Sequence, residues 1–474
     1  MQRLFVVFFL IFSKISISQN KPLLYNVDAL PQTLLSNPGA EINFRGHIGM
    51  PFFSQFHISA GFTGVTLFDI FDDSNPNVNL RVRNAIRNLT PQDYFSINEQ
   101  WEIFSFGWKL NRRDYLSIGV YQETDVFSYF PKDLAILINE GNSSYIGQPF
   151  DFSQAAFTAE VLAVYHMGLT RQINDKLIVG VRGKLYSGIF NVESTNNQGT
   201  FTTTLNNQGA TGIYTQTASN IDVLIKTSGF APLNNAEGNT VEQAAADVLK
   251  RSLFGGNVGV GLDIGATYEV NEQFKVTGAV RDIGIMFQRT DVENYRYYGD
   301  YQTEGLEPLF PELDEDEEAI PYWDLFEDEV DENLQDETLY DSYTTWRPVK
   351  FNTSMEFGFG RALVPCNYRL REEVRYLNAV GMLLSGVKRP KGITLAFSAY
   401  YDKLVTEKFG FRAMYSIDDY SFTNIGAMVH RTFGNFNVYM AANNLLAFPN
   451  LAKANGTSVQ LGLQFIFDRR LGYY

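Results

Sequence analysis

The chain has 474 residues, a formal net charge of −15, 45% hydrophobic and 15% aromatic residues, and a single cysteine, Cys366. That length admits two or three soluble domains or one large barrel. One cysteine excludes an intramolecular disulfide and a cysteine-based metal site, and the acid excess speaks against nucleic-acid binding.

Met1-Gln2-Arg3 gives a cationic start, Leu4 to Phe12 is an unbroken apolar run, and Ser16-Ile17-Ser18 places small residues ahead of Gln19. The layout predicts a secretory signal peptide over 1–18. No cysteine follows the apolar run, which disfavours a lipid-anchored lipoprotein. Beyond Ser18 no stretch approaches the roughly 18–20 apolar residues that a spanning helix requires. A mature chain that crosses a membrane must then do so with strands. Only a closed barrel satisfies every backbone N–H and C=O in lipid.

Period-two alternation dominates the rest. Leu177, Val179, Val181 and Leu185 alternate with Gly180, Arg182, Lys184 and Tyr186. Val258, Val260, Leu262, Ile264, Ala266 and Tyr268 alternate with Gly259, Gly261, Asp263, Gly265, Thr267 and Glu269. Phe351 to Phe359 and Ile393 to Tyr401 repeat the pattern. Runs of about ten residues suit membrane strands, whereas soluble sandwich strands usually span about 5–6. The runs fall near 54–63, 101–110, 115–124, 153–171, 176–190, 257–269, 273–287, 349–361, 374–387, 391–402, 407–416, 421–432, 435–445 and 456–467. The predicted fold is all-β, an antiparallel transmembrane barrel of about fourteen strands.

The connections alternate. One class is tight and rich in Asn, Asp and Gly: Asn111 to Asp114, Gln172 to Asp175, Val270 to Glu272, Lys403 to Thr406 and Phe433-Gly434, with Arg361 to Glu373 its longer member. The other class holds long segments, 64–100, 125–152, 191–256, 288–348 and 446–455, with two short members near 386–391 and 417–420. Short turns on the periplasmic side and long external loops are the arrangement expected of such a barrel. The long loops predict helices over Pro131 to Glu140 and from the capping box at Thr240 to about Arg251, and a hairpin over 199–218. Between Arg296 and Arg347 stand 18 Asp or Glu and no Lys or Arg, so the acidity belongs to the external loop 288–348. It lacks the spaced ligands of a calcium loop and reads as a solvated acidic segment.

At the chain end, Gln460-Leu461-Gly462-Leu463-Gln464-Phe465-Ile466-Phe467 resembles the signal that outer-membrane assembly machinery reads on a last strand. Near the start, Leu34-Leu35-Ser36-Asn37-Pro38-Gly39-Ala40 resembles the Asn-Pro-Ala stretch of FadL-type barrels, of PorV in the type IX secretion apparatus, and of uncharacterised Bacteroidetes outer-membrane families. Arg281-Asp282-Ile283-Gly284-Ile285 and Ala442-Asn443-Asn444-Leu445 look like those uncharacterised families too. Gly39 stands where the families usually have Ala, a change expected to matter little by size. The resemblance implies a fourteen-stranded barrel over 53–474 whose N-terminal segment, 19–52, plugs the lumen. It implies either a conduit for small hydrophobic molecules or a scaffold that docks a secreted protein.

None of the four histidines, His47, His57, His166 and His430, has metal-ligand spacing, and His57 and His166 fall on the lumen face. No nucleophile elbow, phosphate loop or dinucleotide fingerprint occurs, so neither catalytic residues, an enzymatic activity nor a cofactor is expected. The candidate site residues are Asn37, Pro38 and Gly39 of the plug and the lumen-facing charges Glu160, Arg182, Lys184, Asp263, Glu269, Lys350 and Glu356. Those charges either line a polar path or pair across the lumen; pairing is favoured, because unpaired buried charge is costly. Trp108, Tyr165, Tyr268 and Tyr401 are expected at the membrane interfaces. The expected location is the outer membrane. The expected partners are its lipid and assembly machinery, with a small hydrophobic molecule or, alternatively, a docked secreted protein.

Overall fold

The computed structural model describes residues 22–71, 77–206, 213–230, 241–303, 334–361, 376–406 and 408–469. The signal-peptide expectation, Cys366, residues 304–333 of the acidic loop and most of the 361–373 connection lie outside them.

From the N-terminus, one turn of helix α1 (Thr33–Ser36) precedes β1 (Phe44–Gly49) and β2 (Gln55–Phe62), and α2 (Leu67–Phe71) and α3 (Val78–Asn88) follow. Next come β3 (Tyr94–Lys109), β4 (Asp114–Tyr129), α4 (Lys132–Glu140), β5 (Pro149–Asp151), β6 (Phe157–Gln172) and β7 (Leu177–Ser194). The middle holds β8 (Gln198–Asn206), β9 (Ile213–Ser228), α5 (Val241–Lys250), β10 (Asn257–Glu269), β11 (Phe274–Gln288), β12 (Val292–Thr303), β13 (Gln335–Leu339) and β14 (Tyr343–Trp346). The last part holds β15 (Lys350–Arg361), β16 (Tyr376–Arg389), β17 (Gly392–Thr406), β18 (Phe409–Ile417), β19 (Asn424–Phe433), β20 (Phe436–Asn443) and β21 (Gly456–Arg469). A 3-10 segment, Leu445–Lys453, separates the last two.

Antiparallel pairing runs from β3 through β4, β6, β7, β10, β11 and β15 to β16. It continues through β17, β18, β19, β20 and β21, and β21 closes the circle on β1 and β2, which also pair with β3. Taking β1 and β2 as one stave, the barrel is closed with fourteen staves. Each predicted run coincides with one of them. Closure leaves no unpaired edge in the wall, which is the condition for a sheet in lipid.

The alternation decides the two faces. On β10, Val258, Val260, Leu262 and Ile264 stand 45, 50, 38 and 44% exposed on the outside, while Asp263 and Thr267 are buried inside. Short turns cluster at one end of the barrel, and helices and additional strands at the other. There β7 outruns the wall and pairs with β9, which pairs with β8 and β12; β5 and β13 extend this annex on either side. The helices over 132–140 and 241–250 and the 198–228 hairpin arise where the sequence predicts them. Gly141 at φ +72 ends α4. Within the acidic loop, residues 335–341 belong largely to β13, where Glu337 pairs with Arg296 at 3.3 Å.

Two boundaries differ from expectation. The wall begins at Phe44, not at 53, because β1 belongs to the first stave. Between Gly49 and Phe56 the partner strand advances only from Gln464 to Leu461, so residues 50–54 form an insertion. It bows outward with Met50, Phe52 and Phe53 exposed, and Trp101 Nε1 holds it by donating to the Phe52 carbonyl at 2.6 Å. This insertion breaks the alternation that would have joined Phe44–Ile48 to the next run. The second difference is length: β3 starts at Tyr94, well before the expected 101, because its outer part reaches past the apolar belt.

Candidate functional site

Residues 22–43 occupy the barrel interior. Leu23, Leu24, Tyr25 and Leu30 pack on inward side chains of β16 to β20, among them Leu383, Tyr400, Met414, Met428 and Tyr439. Leu34 and Ile42 meet Tyr115 and Ile466, and Leu35 meets Tyr121, Leu162, Tyr186 and Met286. Apart from α1 the segment has little regular structure, so its backbone carbonyls need partners from the wall. Arg412 donates to the carbonyls of Leu23 and Tyr25 at 3.2 and 2.6 Å. Arg182 donates to Leu34, and Arg281 to Leu35 at 3.0 Å. Thr170 and Thr267 donate to Pro38 and Gly39 at 2.6 and 2.8 Å.

The Asn37-Pro38-Gly39 turn is seated on bare backbone. Asn37 Oδ1 accepts from the Gly39 N–H at 2.9 Å, which closes the turn. Beneath it Gly265 and Gly180 are direct partners in the β10–β7 pair. A Cβ on Gly180 would stand 1.9 Å from the Pro38 carbonyl oxygen, and one on Gly265 would stand 2.1 Å from Asn37 Oδ1. The exchange of alanine for glycine at position 39 is therefore not neutral here. A Cβ on Gly39 would come within 2.4 Å of the Gly265 oxygen.

Beside this seat a chain of ion pairs crosses the lumen. Asp263 accepts from Arg182 at 3.3 Å and Lys184 at 2.9 Å, and Lys184 also reaches Asp282 at 2.5 Å. Lys350 links Asp282 at 3.1 Å to Glu123 at 2.7 Å. Arg347 joins Glu123 at 2.8 Å and Glu160, and Arg389 pairs with Asp125 at 2.6 Å. These groups are nearly all fully buried, and each carries at least one opposite charge, as burial demands. Asp282 enters the network through a bulge. Its φ of +59 turns two successive side chains, Arg281 and Asp282, inward, while Val280 and Ile283 both face out.

At the outer mouth, the rings of Tyr94, Phe127 and Tyr129 pack tilted or edge to face with centroids 4.8–6.3 Å apart, and Arg389 lies 4.5 Å from the Phe127 ring centroid. Tyr420, from the β18–β19 loop, reaches in to join them. It fills a notch left by Gly61 and Gly456, where a Cβ would stand 2.4 and 2.9 Å from its ring. Its hydroxyl meets Ser96 Oγ at 2.5 Å, and Tyr94 Oη donates to Asp419 at 2.8 Å. At the turn end, below the N-terminal segment, lies a cavity of about 520 Å³. Its lining is mixed, with the charged Asp28, Glu41, Arg113, Glu269, Lys275 and Glu356 beside apolar residues such as Ile42, Phe274, Leu404 and Met428.

Of the charges expected to face inward, Glu160, Arg182, Lys184, Asp263 and Lys350 all fall in the central network. Glu356 pairs instead with Lys275 at 2.8 Å near the cavity, and Glu269 lines that cavity. His57 and His166 face inward, as does His47, whose Nδ1 and Nε2 lie 2.5 Å from Tyr115 Oη and 3.0 Å from Ser105 Oγ. Sequence reasoning missed Glu123, Asp125, Arg281, Asp282, Arg347 and Arg412. Glu123 and Asp125 had a usable signal, since they share the inward parity of Tyr115 and Tyr121. Asp282 had none, because the bulge inverts its parity, and Arg347 lies between strands.

The interior and the apolar exterior define a closed, membrane-type β-barrel whose lumen holds its own N-terminal segment. The chain belongs to a family of unknown function, DUF5723, whose model matches residues 38–443. No curated protein matches it. Similar solved structures include the Ralstonia pickettii toluene transporter TbuX, at 12% identity over 93% of this chain and 94% of that one, with a TM-score of 0.41. A Pseudomonas aeruginosa FadL homologue is similar at 10% identity over 96% and 99%, TM-score 0.41. The Pseudomonas putida toluene transporter TodX is similar at 9% over 95% and 94%, TM-score 0.36.

Proposed function

We propose that this protein is an outer-membrane conduit for a small molecule, held shut by residues 22–43 acting as a plug. The observation that carries the reading is how the segment is held. It adds no strand to the wall and is held through side chains rather than a backbone ladder, so it can leave without breaking the barrel. The central ion pairs and the Tyr420 cluster add two further closures in series above it. In this reading the protein performs no enzymatic step. Its lasting partner is outer-membrane lipid, and β21 presents the motif for the assembly machinery.

The solute's class is a separate matter. The family resemblance implies a hydrophobic molecule, but a dozen charged side chains stand among the residues that line the cavity adjoining the plug. That lining supports a polar solute at the turn end. The docking-scaffold alternative gives no reason for a removable lumen filling.

Reconstitution into planar bilayers tests the conduit. The intact chain is expected to stay closed, and a variant lacking residues 22–42 to pass a steady ionic current. If the deletion variant keeps the heat-dependent gel mobility of a folded barrel and conducts no better than the intact chain, the conduit reading fails.

A further inference from the structure

We infer that two arcs of external loop form a collar embedded in the headgroup–acyl boundary of the outer leaflet. The inference rests on the membrane reading above and goes beyond it, since external loops are ordinarily solvated.

The first arc joins α2 to the 3-10 segment 445–453, which lie side by side above the β2–β21 seam. Leu67 and Phe71 are 62 and 68% exposed, and Leu446 and Leu451 are 64 and 53% exposed. The arc hangs outside the wall rather than over the lumen. Ile70 packs with Ala85 of α3 and Leu89 just after it against Phe62, on the outward row of β2, and Phe130, which follows β4. The Lys453 ammonium sits 4.2 Å from the centroid of the Phe68 ring, a cation at the rim of an apolar patch.

The second arc is the turn after α5. Phe254 stacks at 4.6 Å on Tyr165, which lies on the same outward row of β6 as Met167, and Tyr165 Oη donates to the Ser252 carbonyl at 2.8 Å. Phe254 holds φ +65, unfavourable for an aromatic residue, and Leu253 projects outward, 60% exposed. Both arcs sit at the same end of the barrel, over the neighbouring staves from β21 to β7, and each is continuous with the lipid-facing rows. In the first arc, apolar side chains over helical turns with Lys453 at the edge match what an interfacial segment requires. Continuity with the belt selects lipid as the occupant: the outward rows of β2 and β6 run from hydrocarbon directly into the exposed side chains of the two arcs, and Lys453 stands at their edge.

The test uses full-length protein with Cys366→Ser, carrying bimane at Leu451→Cys, Leu253→Cys or, as a wall control, Val260→Cys. Each is reconstituted into phosphatidylcholine vesicles with or without brominated acyl chains. The collar is expected to lose fluorescence in brominated lipid at all three positions and to resist aqueous iodide. Quenching by brominated lipid at Val260 alone, with iodide quenching or no quenching at Leu451 and Leu253, overturns the collar and leaves the membrane reading intact. Absence of lipid quenching at Val260 overturns both.

Discussion

The Pro38 carbonyl oxygen rests where Gly180 has no side chain, and Asn37 rests in the same way on Gly265. Replacing Gly265 with valine forces the turn off the wall without touching a hydrogen bond of the β7–β10 ladder. Overpacking of this kind costs about 1–3 kcal/mol. Amide exchange over 35–40 is then expected to quicken by roughly tenfold or more, at about 1.4 kcal/mol per factor of ten. Unchanged exchange would mean that the seat does not hold the segment. Arg347 makes a different demand. Removing it as Arg347→Met takes one of the cations from Glu123 and strips Glu160 of its cation, a loss of about 3–5 kcal/mol for a broken buried pair. A clear fall in the thermal midpoint in detergent is expected, with Arg347→Lys milder. At this scale the sequence was legible wherever parity held. Arg182, Lys184 and Asp263 could be placed inward from alternation alone, whereas Arg281 and Asp282 share a side only because one φ is positive.

Among the elements, the β18–β19 loop makes the sharpest prediction. Asp418 accepts from the backbone N–H groups of Tyr420 and Ser421 at 3.0 and 2.8 Å and from Asn424, which fixes the loop's bend. Its neighbour Asp419 is pushed up to about 8, first by burial and then by the nearby carboxylates Asp418 and Asp93, with the Tyr94 hydrogen bond opposing. Because the folded value lies above the ordinary 3.8, the closed loop binds a proton that the released loop does not. Closure is therefore strongest at low pH and weakens as pH rises from about 4 to about 8. Exchange of the 418–424 amides, corrected for its intrinsic pH dependence, is expected to accelerate over that window and to lose the trend in Asp419→Asn. An equal trend in both proteins would contradict the assignment. Alternation locates β18 and β19, but it cannot show that the loop between them folds inward. That depends on Gly61 and Gly456, far apart in sequence, leaving one notch.

For the whole molecule, fourteen alternating runs and the alternation of short and long connections make the barrel readable in the sequence. What stayed hidden depends on insertions and long-range meetings. The 50–54 insertion disguised the first half of a stave as plug, and the external annex arises from pairing between loops more than sixty residues apart, as in β9 with β12. The interior is filled in layers: residues 22–43 pack apolar side chains on the wall, ion pairs cross the lumen beside them, and an aromatic cluster lies at the outer mouth. The central claim is that the outward rows meet hydrocarbon while the inward rows do not. Spin labels placed one by one from Val258 to Tyr268 of β10, in reconstituted protein, report it through collisions with oxygen and with a water-soluble nickel complex. The account predicts oxygen maxima at Val258, Val260, Leu262 and Ile264, with both reagents weak at the positions between. Access for the nickel complex at those four outward positions would contradict it.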